Sequence, residues 1–256
     1  MSQHSRFVDL FKRIRSRSGV LTFSDTVDHG ALSEPPPRLM WARDLAQPVA
    51  GRRILDVGCW TGGLLRLLVP LEPAELMGID LAGPWINAAG ENVPSARFLE
   101  VATLSELPPS LEHHFDVVTL LETLEHLPRG SEAAAISALT ALLAPGGRLI
   151  LSTPAAGISA PLDPAWILTG HRHYSLATLT QIFSSAGLEV QKVHYSGNFW
   201  SSLDTFLLYF SKHILHRGYK SSRFISSHEP SHVYQKRRPT SANIWLEGHP
   251  KDHSQM

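Results

Sequence analysis

Cysteine is nearly missing from this chain. Among 256 residues there is one, Cys59, which excludes an intrachain disulfide framework and a zinc site built from cysteines. A lone thiol fits a reducing compartment. Long apolar stretches are missing too: no run reaches the roughly 18 residues that a membrane-crossing helix needs. The opening stretch MSQHSRFVDLFKRIRSRSGV is polar and basic, so no secretory leader is read there and a cytoplasmic location is expected. An excess of one charge is also lacking. Lysine plus arginine and aspartate plus glutamate number 23 each, and such balance offers no global attraction to nucleic acid. The QKRRP cluster at 235–239 is too short to change that expectation. Hydrophobic residues, by contrast, make up 43%, enough for one large core. Histidines are plentiful but scattered, and most read as surface residues.

Residues 1–36 have no periodicity and end in SEPPP, a proline block that stops a helix. A short helix is expected at RLMWARDLA. A regular alternation follows. RRILDVG, AELMGID, ARFLEV, FDVVTLLE and RLILSTP read as five strands, with GGLLRLLVPL, PWINAAGEN and SEAAAISALTALL as helices among them. Ser131 is the expected N-cap of the last of these, and the Pro145–Gly147 triplet its stop. LATLTQIFSSAG is a further helix, capped at Ser175 and closed by Gly187. LEVQKVHYS and ANIWLEGH read as strands six and seven. Alternating strands and helices predict an α/β, Rossmann-like, doubly wound sheet of seven mostly parallel strands in a single domain, the last strand antiparallel. The near-continuous apolar strands suit a sheet covered on both faces. The domain is placed at 37–216, a polar basic loop at 217–241, and a final strand and tail at 242–256.

The stretch RILDVGCWTGG carries the first chemical signal. A glycine-rich turn after a first strand lets backbone approach a ligand closely. An acidic residue ending the second strand can accept from ribose hydroxyls. Asp80 closes MGID 22 residues after Gly58, near the expected separation. Dinucleotide-binding turns want G-x-G-x-x-G, and Gly58, Gly62 and Gly63 do not fit that spacing. Asp56, two residues before the first glycine, would repel a pyrophosphate. It suits a ligand with a cationic group, such as S-adenosylmethionine. A dinucleotide oxidoreductase is therefore disfavoured.

Taken in order, these segments resemble the class I S-adenosylmethionine-dependent methyltransferases. LDVGCWTGGLL resembles their first motif and GID the second. FDVVTLLETLEHLP resembles their fourth-strand motif, and LLAPGGRLILSTP the region of the fifth strand. GHRHYSLATLTQIFSSAGLEV resembles the downstream block of small-molecule members, including the ubiquinone-biosynthesis O-methyltransferases. The resemblance covers about residues 37–196. It implies that Asp56 holds the methionine ammonium, that Gly58, Cys59 and Gly62 shape the methionine seat, and that Asp80 binds the ribose hydroxyls. Leu81 would pack on the adenine, the Thr103 hydroxyl would accept from its amino group, and the Leu104 N–H would reach its ring. Leu121 and Glu122 would lie near the methionine end and the acceptor. It further implies methyl transfer, most readily to an oxygen of a small-molecule, glycan or lipid-linked acceptor. Two departures stand out. Trp60 replaces a glycine of the D-x-G-x-G-x-G form, so its indole is expected to face away from the cofactor. Thr103 replaces an acidic residue. Both departures keep open a second reading, a non-catalytic cofactor-binding relic of the fold.

ETLEH (122–126) places carboxylates and an imidazole at spacings that share a face of a helix or turn. His126 can serve as a general base, with Glu125 beside it. Alternatively Glu122, Glu125 and His126, with His171 or His173 of GHRHY, can hold a divalent metal, as a similar cluster does in plant small-RNA 2′-O-methyltransferases. The plainest reading is that Glu125 and His126 only order the loop. GHRHY either lines an acceptor pocket or simply leads into the next helix. Residues 199–216 are apolar nearly all round and run into Arg217, Lys220 and Arg223. Such a segment either packs on the sheet or makes peripheral membrane contact.

Overall fold

The structure, a computed structural model, describes residues 35–81, 83–158, 160, 171–213, 222–228, 233, 235–236 and 238–251. The N-terminal FVDLFKRIRSR segment and the basic residues 217–221 lie outside these. Seven strands form one sheet: β1 (Arg53–Val57), β2 (Glu75–Asp80), β3 (Arg97–Glu100), β4 (Phe115–Leu121), β5 (Leu143–Pro154), β6 (Leu188–Ser196) and β7 (Asn243–Pro250). Their order is β3-β2-β1-β4-β5-β7-β6. β1 to β5 are parallel, and β7 runs antiparallel to both β5 and β6. The expected α/β doubly wound sheet with an antiparallel last strand is what forms.

Helices α1 (Pro37–Leu45), α2 (Gly63–Leu68), α3 (Gly83–Asn92), α4 (Glu132–Ala141), α5 (Leu176–Ser185), α6 (Phe199–His213) and α7 (Arg223–His228) accompany the strands. Strand side chains alternate between the two faces. Leu55, Met77, Ile79, Val118, Leu120, Leu149 and Leu151 pack with Ile136 and Leu139 of α4 and Leu179 and Phe183 of α5. Their neighbours Ile54, Leu76, Val117, Ile150 and Trp245 pack with Ala42 of α1 and Leu64, Leu65 and Leu68 of α2. Both faces are dry, which is why the strands read as unbroken apolar runs rather than alternating ones. Each fully buried Leu or Ile contributes about 1.5–3 kcal/mol relative to exposure. No described helix is long and apolar enough to cross a membrane.

Two local expectations are corrected. Ser131 precedes α4, but its side chain makes no cap. The hydroxyl donates to the Pro128 carbonyl at 2.7 Å instead, which satisfies it within the preceding turn. The Pro145–Gly147 triplet is not the stop of α4, which ends at Ala141, but lies inside β5. Phe115 pairs with Leu143 and Val117 with Arg148, so the triplet is absorbed as a bulge, with Gly146 at φ +75°. Ser175 does cap α5, accepting from the Thr178 amide at 3.1 Å.

The sheet changes direction between β1 and β4. The chain winds outward from β1 to β2 and β3 on one side, and from β4 to β5 on the other. Such a switch point leaves a crevice at the carboxyl ends of the strands, where open α/β sheets bind ligands. The floor beneath it is tightly packed at Gly78 in β2. A Cβ there would lie 2.6 Å from the Phe98 ring and 2.8 Å from the Cys59 sulfur. Gly78→Ala should therefore lower the urea midpoint by an amount equal to about 1–3 kcal/mol, the usual cost of overpacking. An unchanged midpoint would show that the floor is looser than this.

Candidate active site

Backbone conformation sets the shape of the crevice first. Where β1 ends, the Gly58 and Cys59 amides both donate to the Ile79 carbonyl, at 2.8 and 3.1 Å. These bonds turn the chain across the end of β2. Gly58 has φ +74°, and a Cβ on it would lie 2.3 Å from the Thr123 hydroxyl oxygen. No other residue fits there. Gly62, at φ +77°, turns the chain into α2.

Trp60 also adopts a left-handed conformation, φ +48°, at about 1–2 kcal/mol cost for a residue with a Cβ. This is a conformation that glycine adopts freely. Its amide donates to Asp80 Oδ2 at 3.0 Å. Its indole packs edge-on against Trp85 of α3, ring centroids 5.6 Å apart. The bulk is thus carried toward the helix that follows β2.

Two carboxylates stand at the ends of neighbouring strands. Asp56 of β1 is buried, and its Oδ1 lies 2.6 Å from the Thr119 hydroxyl of β4. Burial pushes its carboxyl up to about 7; the Thr119 bond pulls it down and the charge of Asp80 adds to the rise. Asp80 is buried as well and accepts the Leu81 amide at 2.7 Å besides that of Trp60. Cys59, between them, is buried, and burial with both aspartates raises its thiol far above the usual range. It is not a nucleophile in this setting. Leu81 projects with 39% of its surface exposed, beside Asp80. Thr103 and Leu104 lie past β3 at the start of a short 3₁₀ turn, half-buried. Glu106 in that turn accepts the Ala102 amide at 2.9 Å.

The end of β4 forms the other wall. Leu121 is half-buried, and Glu122 sits at φ +47°. The Glu122 carboxylate accepts Ser152 Oγ at 2.7 Å and Asn243 Nδ2 at 2.8 Å, tying β4 to β5 and β7. A 3₁₀ turn, Leu124–His126, follows. Glu125 is buried and takes the Thr153 hydroxyl at 3.0 Å. Burial, with Glu122 nearby, pushes its carboxyl well above the usual carboxylate range. His126 is exposed, its Nε2 4.0 Å from Glu125 Oε1. Its ring meets that of His171 edge-on, centroids 4.3 Å apart. The structure therefore brings Glu122, Glu125, His126 and His171 to one wall. Among the described residues, no three His, Cys, Asp or Glu side chains group so as to hold a metal ion.

Several residues that hold the site are not evident from motifs. Arg172 donates to the carbonyls of Leu124, Glu125 and Leu127, pairs with Glu132 of α4, and lies over the Tyr174 ring. It clamps the turn that carries His126. Thr119 and Ser152 are buried hydroxyls within largely apolar strands. A buried hydroxyl needs a partner, and that was the available signal.

A family model described as "Methyltransferase domain" matches residues 31–193. The chain belongs to that family, and its fold is that of the class I S-adenosylmethionine-dependent methyltransferases. It is 41% identical over 122 residues to the ubiquinone biosynthesis O-methyltransferase of Alkalilimnicola ehrlichii, covering 46% of this chain and 48% of the relative. The enzyme of the same description from Acinetobacter baumannii is 35% identical over 123 residues, covering 46% and 50%. The chain thus spans about half the length of the curated relatives it matches. Among solved structures, a Thermotoga maritima methyltransferase described as a possible histamine N-methyltransferase is similar with a TM-score of 0.60 and 16% identity. That match covers 94% of this chain and all of that one. The magnesium protoporphyrin IX methyltransferase of Synechocystis, solved with bound S-adenosylmethionine, has a TM-score of 0.51 and 18% identity over 84% of this chain and 76% of that one. Both likenesses concern the fold.

Arg172→Ala should destabilise the chain by about 3 kcal/mol in urea unfolding, because it leaves the half-buried Glu132 and three carbonyls without their shared donor. A loss below about 1 kcal/mol would show that something else holds the turn.

Proposed function

We propose that the chain transfers a methyl group from S-adenosylmethionine to an oxygen of a small-molecule acceptor. The observation that carries this reading is the pair of buried carboxylates, Asp56 and Asp80, flanking a glycine turn at the switch point. Two carboxylates here give a pyrophosphate no donors and suit an ammonium beside a ribose. Asp56 is assigned to the ammonium and Asp80 to the ribose hydroxyls. Backbone from Gly58 to Gly62, with Cys59, would line the methionine moiety. Leu81, exposed next to Asp80, is placed to cover one adenine face, with Thr103 and the Leu104 amide at its edge.

The bound sulfonium supplies an electrophilic methyl carbon: the acceptor oxygen takes the methyl, the C–S electron pair stays on sulfur, and S-adenosylhomocysteine leaves. The protein's part is alignment and one proton. Alignment of the two reactants supplies most of the rate enhancement. Leu121 and Glu122, at the end of β4, stand beside the methyl's path. His126 is assigned as the base that takes the acceptor's hydroxyl proton. Glu125, buried and favouring its neutral form, acts behind His126 by holding it through the turn rather than by taking the proton. The choice of oxygen rests on the ubiquinone-pathway relatives. Phe199, Phe206, Phe210 and Phe224 stay exposed, which supports an apolar or lipid-linked acceptor and peripheral membrane contact.

Calorimetry with S-adenosylmethionine tests the cofactor half. The chain should bind it, and Asp80→Ala should weaken binding by about 1–3 kcal/mol through lost hydrogen bonds to a charged group. No binding at millimolar concentration would overturn the reading, and an unchanged affinity in the variant would overturn the assignment of Asp80.

A further inference from the structure

The chain is balanced in charge overall, but the connection from β6 to β7, residues 197–242, is not. It holds seven lysines and arginines against two acids, Asp204 and Glu229. Lys212, Arg217, Lys220 and Arg223 all fall between those two acids. Lys236 and Arg238, further along, are exposed.

The same connection presents aromatic rings to solvent. Asn198 caps α6: its Oδ1 accepts the Trp200 amide at 2.9 Å and the Ser201 amide at 3.2 Å. Its Nδ2 donates to the His228 carbonyl at 2.7 Å, which fastens the end of α7 to the start of α6. Phe199, Phe206 and Phe210 fall seven and four residues apart in α6 and so share one face of it. They are 44%, 38% and 42% exposed, and the Phe206 and Phe210 rings stack with centroids 6.2 Å apart. Phe224 of α7 is 59% exposed and lies edge-on to Trp200 at 5.3 Å. Phe199 meets the same indole at 5.7 Å. The two helices thus carry one aromatic patch, and a contiguous exposed patch of this kind marks an interaction surface.

Topology sets this patch beside the crevice. β7 is antiparallel to both β5 and β6, so β6 runs in the direction of β5 and ends, at Ser196, on the carboxyl edge of the sheet. Ser196 pairs with Asn243, and Asn243 pairs with Pro154 and bonds Glu122. α6 starts three residues after Ser196, next to the acceptor wall. Charge then selects what covers the rings. A second copy of this chain would bring the same excess of cations and repel. An anionic lipid surface takes up both the rings and the charge.

We infer that Phe199, Phe206, Phe210 and Phe224 dock the chain on an anionic phospholipid bilayer, with the mouth of the crevice turned toward the lipid. This deepens, and rests on, the reading of peripheral membrane contact and a lipid-linked acceptor. The rings enter the boundary between headgroups and acyl chains, and the basic connection stays at headgroup level. An acceptor hydroxyl held at that level reaches the Glu122 wall without its lipid leaving the bilayer, while S-adenosylmethionine arrives from water.

Co-sedimentation of the full chain with mixed phosphatidylglycerol–phosphatidylcholine vesicles tests the docking. The wild type should pellet with them, bind about tenfold more weakly to pure phosphatidylcholine, and come off as salt rises. Phe206→Ser combined with Phe210→Ser should weaken vesicle binding by about tenfold or more and leave the melting temperature in place, because both rings already face solvent. Phe224→Ser, on the other helix, should act in the same direction. The inference is overturned by absence of binding to the mixed vesicles, by equal binding to pure phosphatidylcholine, or by binding that the phenylalanine variants leave unchanged. It is also overturned if light scattering shows a dimer that these variants break up and the vesicles go unbound, which would make a second copy the occupant. Calorimetry with S-adenosylmethionine on the same samples separates the two readings. Cofactor binding without vesicle binding overturns the docking alone, and vesicle binding without cofactor binding overturns the cofactor reading alone.

Discussion

Asp56 and Asp80 stand at the carboxyl ends of adjacent parallel strands, both buried and both negative when ionised. Burial of two carboxylates side by side is costly unless each is hydrogen-bonded or neutral. The fold meets that cost in two different ways. Asp80 accepts two amides, those of Trp60 and Leu81. Asp56 has a single hydroxyl, that of Thr119, and is displaced toward neutrality. The glycine turn beside them is closely fitted: a Cβ on Gly58 would collide with Thr123, and the Gly58 and Cys59 amides are bonded to the Ile79 carbonyl. The two carboxylates are therefore held differently, Asp80 by two backbone amides and Asp56 by one hydroxyl.

Trp60 shows how far a departure from a family pattern can be absorbed. The left-handed backbone at this position is one that favours glycine. Trp60 adopts that angle at a cost and places its indole on Trp85. Edge-to-face aromatic packing returns about 0.5–1.5 kcal/mol, which offsets much of the conformational cost. The strain lies in the glycine-rich loop after β1, and strained backbone commonly clusters at functional sites.

The sheet and its order of elements were legible in the sequence because buried parallel strands leave unbroken apolar runs, as RILDV and FDVVTLL do. The residues at the strand ends were legible too, since Asp56, Asp80, Glu122 and His126 fall at motif positions. What holds them was not. Thr119 lies 63 residues from Asp56, Asn243 lies 121 from Glu122, and Arg172 lies 48 from Leu124. Local spacing carries no trace of such pairs. The Pro145–Gly147 triplet misled for a related reason: turn residues read locally as a helix stop, but α4 already ends at Ala141 and the neighbouring β4 pulls the triplet into the sheet as a bulge. The Ser131 cap failed because a nearer acceptor, the Pro128 carbonyl, takes its hydroxyl.

The wall made by Glu122, Glu125, His126 and His171 depends on Arg172, which binds the turn from beneath, and on Glu132 of α4, which holds the arginine. The proposed cofactor seat and acceptor wall meet at the end of β4, where Thr119 bonds Asp56 and Glu122 bonds Ser152. The most direct test of the central claim is an experimental structure of the chain with S-adenosylhomocysteine. The account predicts the ligand's ammonium within hydrogen-bond distance of Asp56 and its ribose hydroxyls on Asp80, with the Trp60 indole still against Trp85. A ligand held elsewhere, or an indole occupying the place of the methionine moiety, would contradict it.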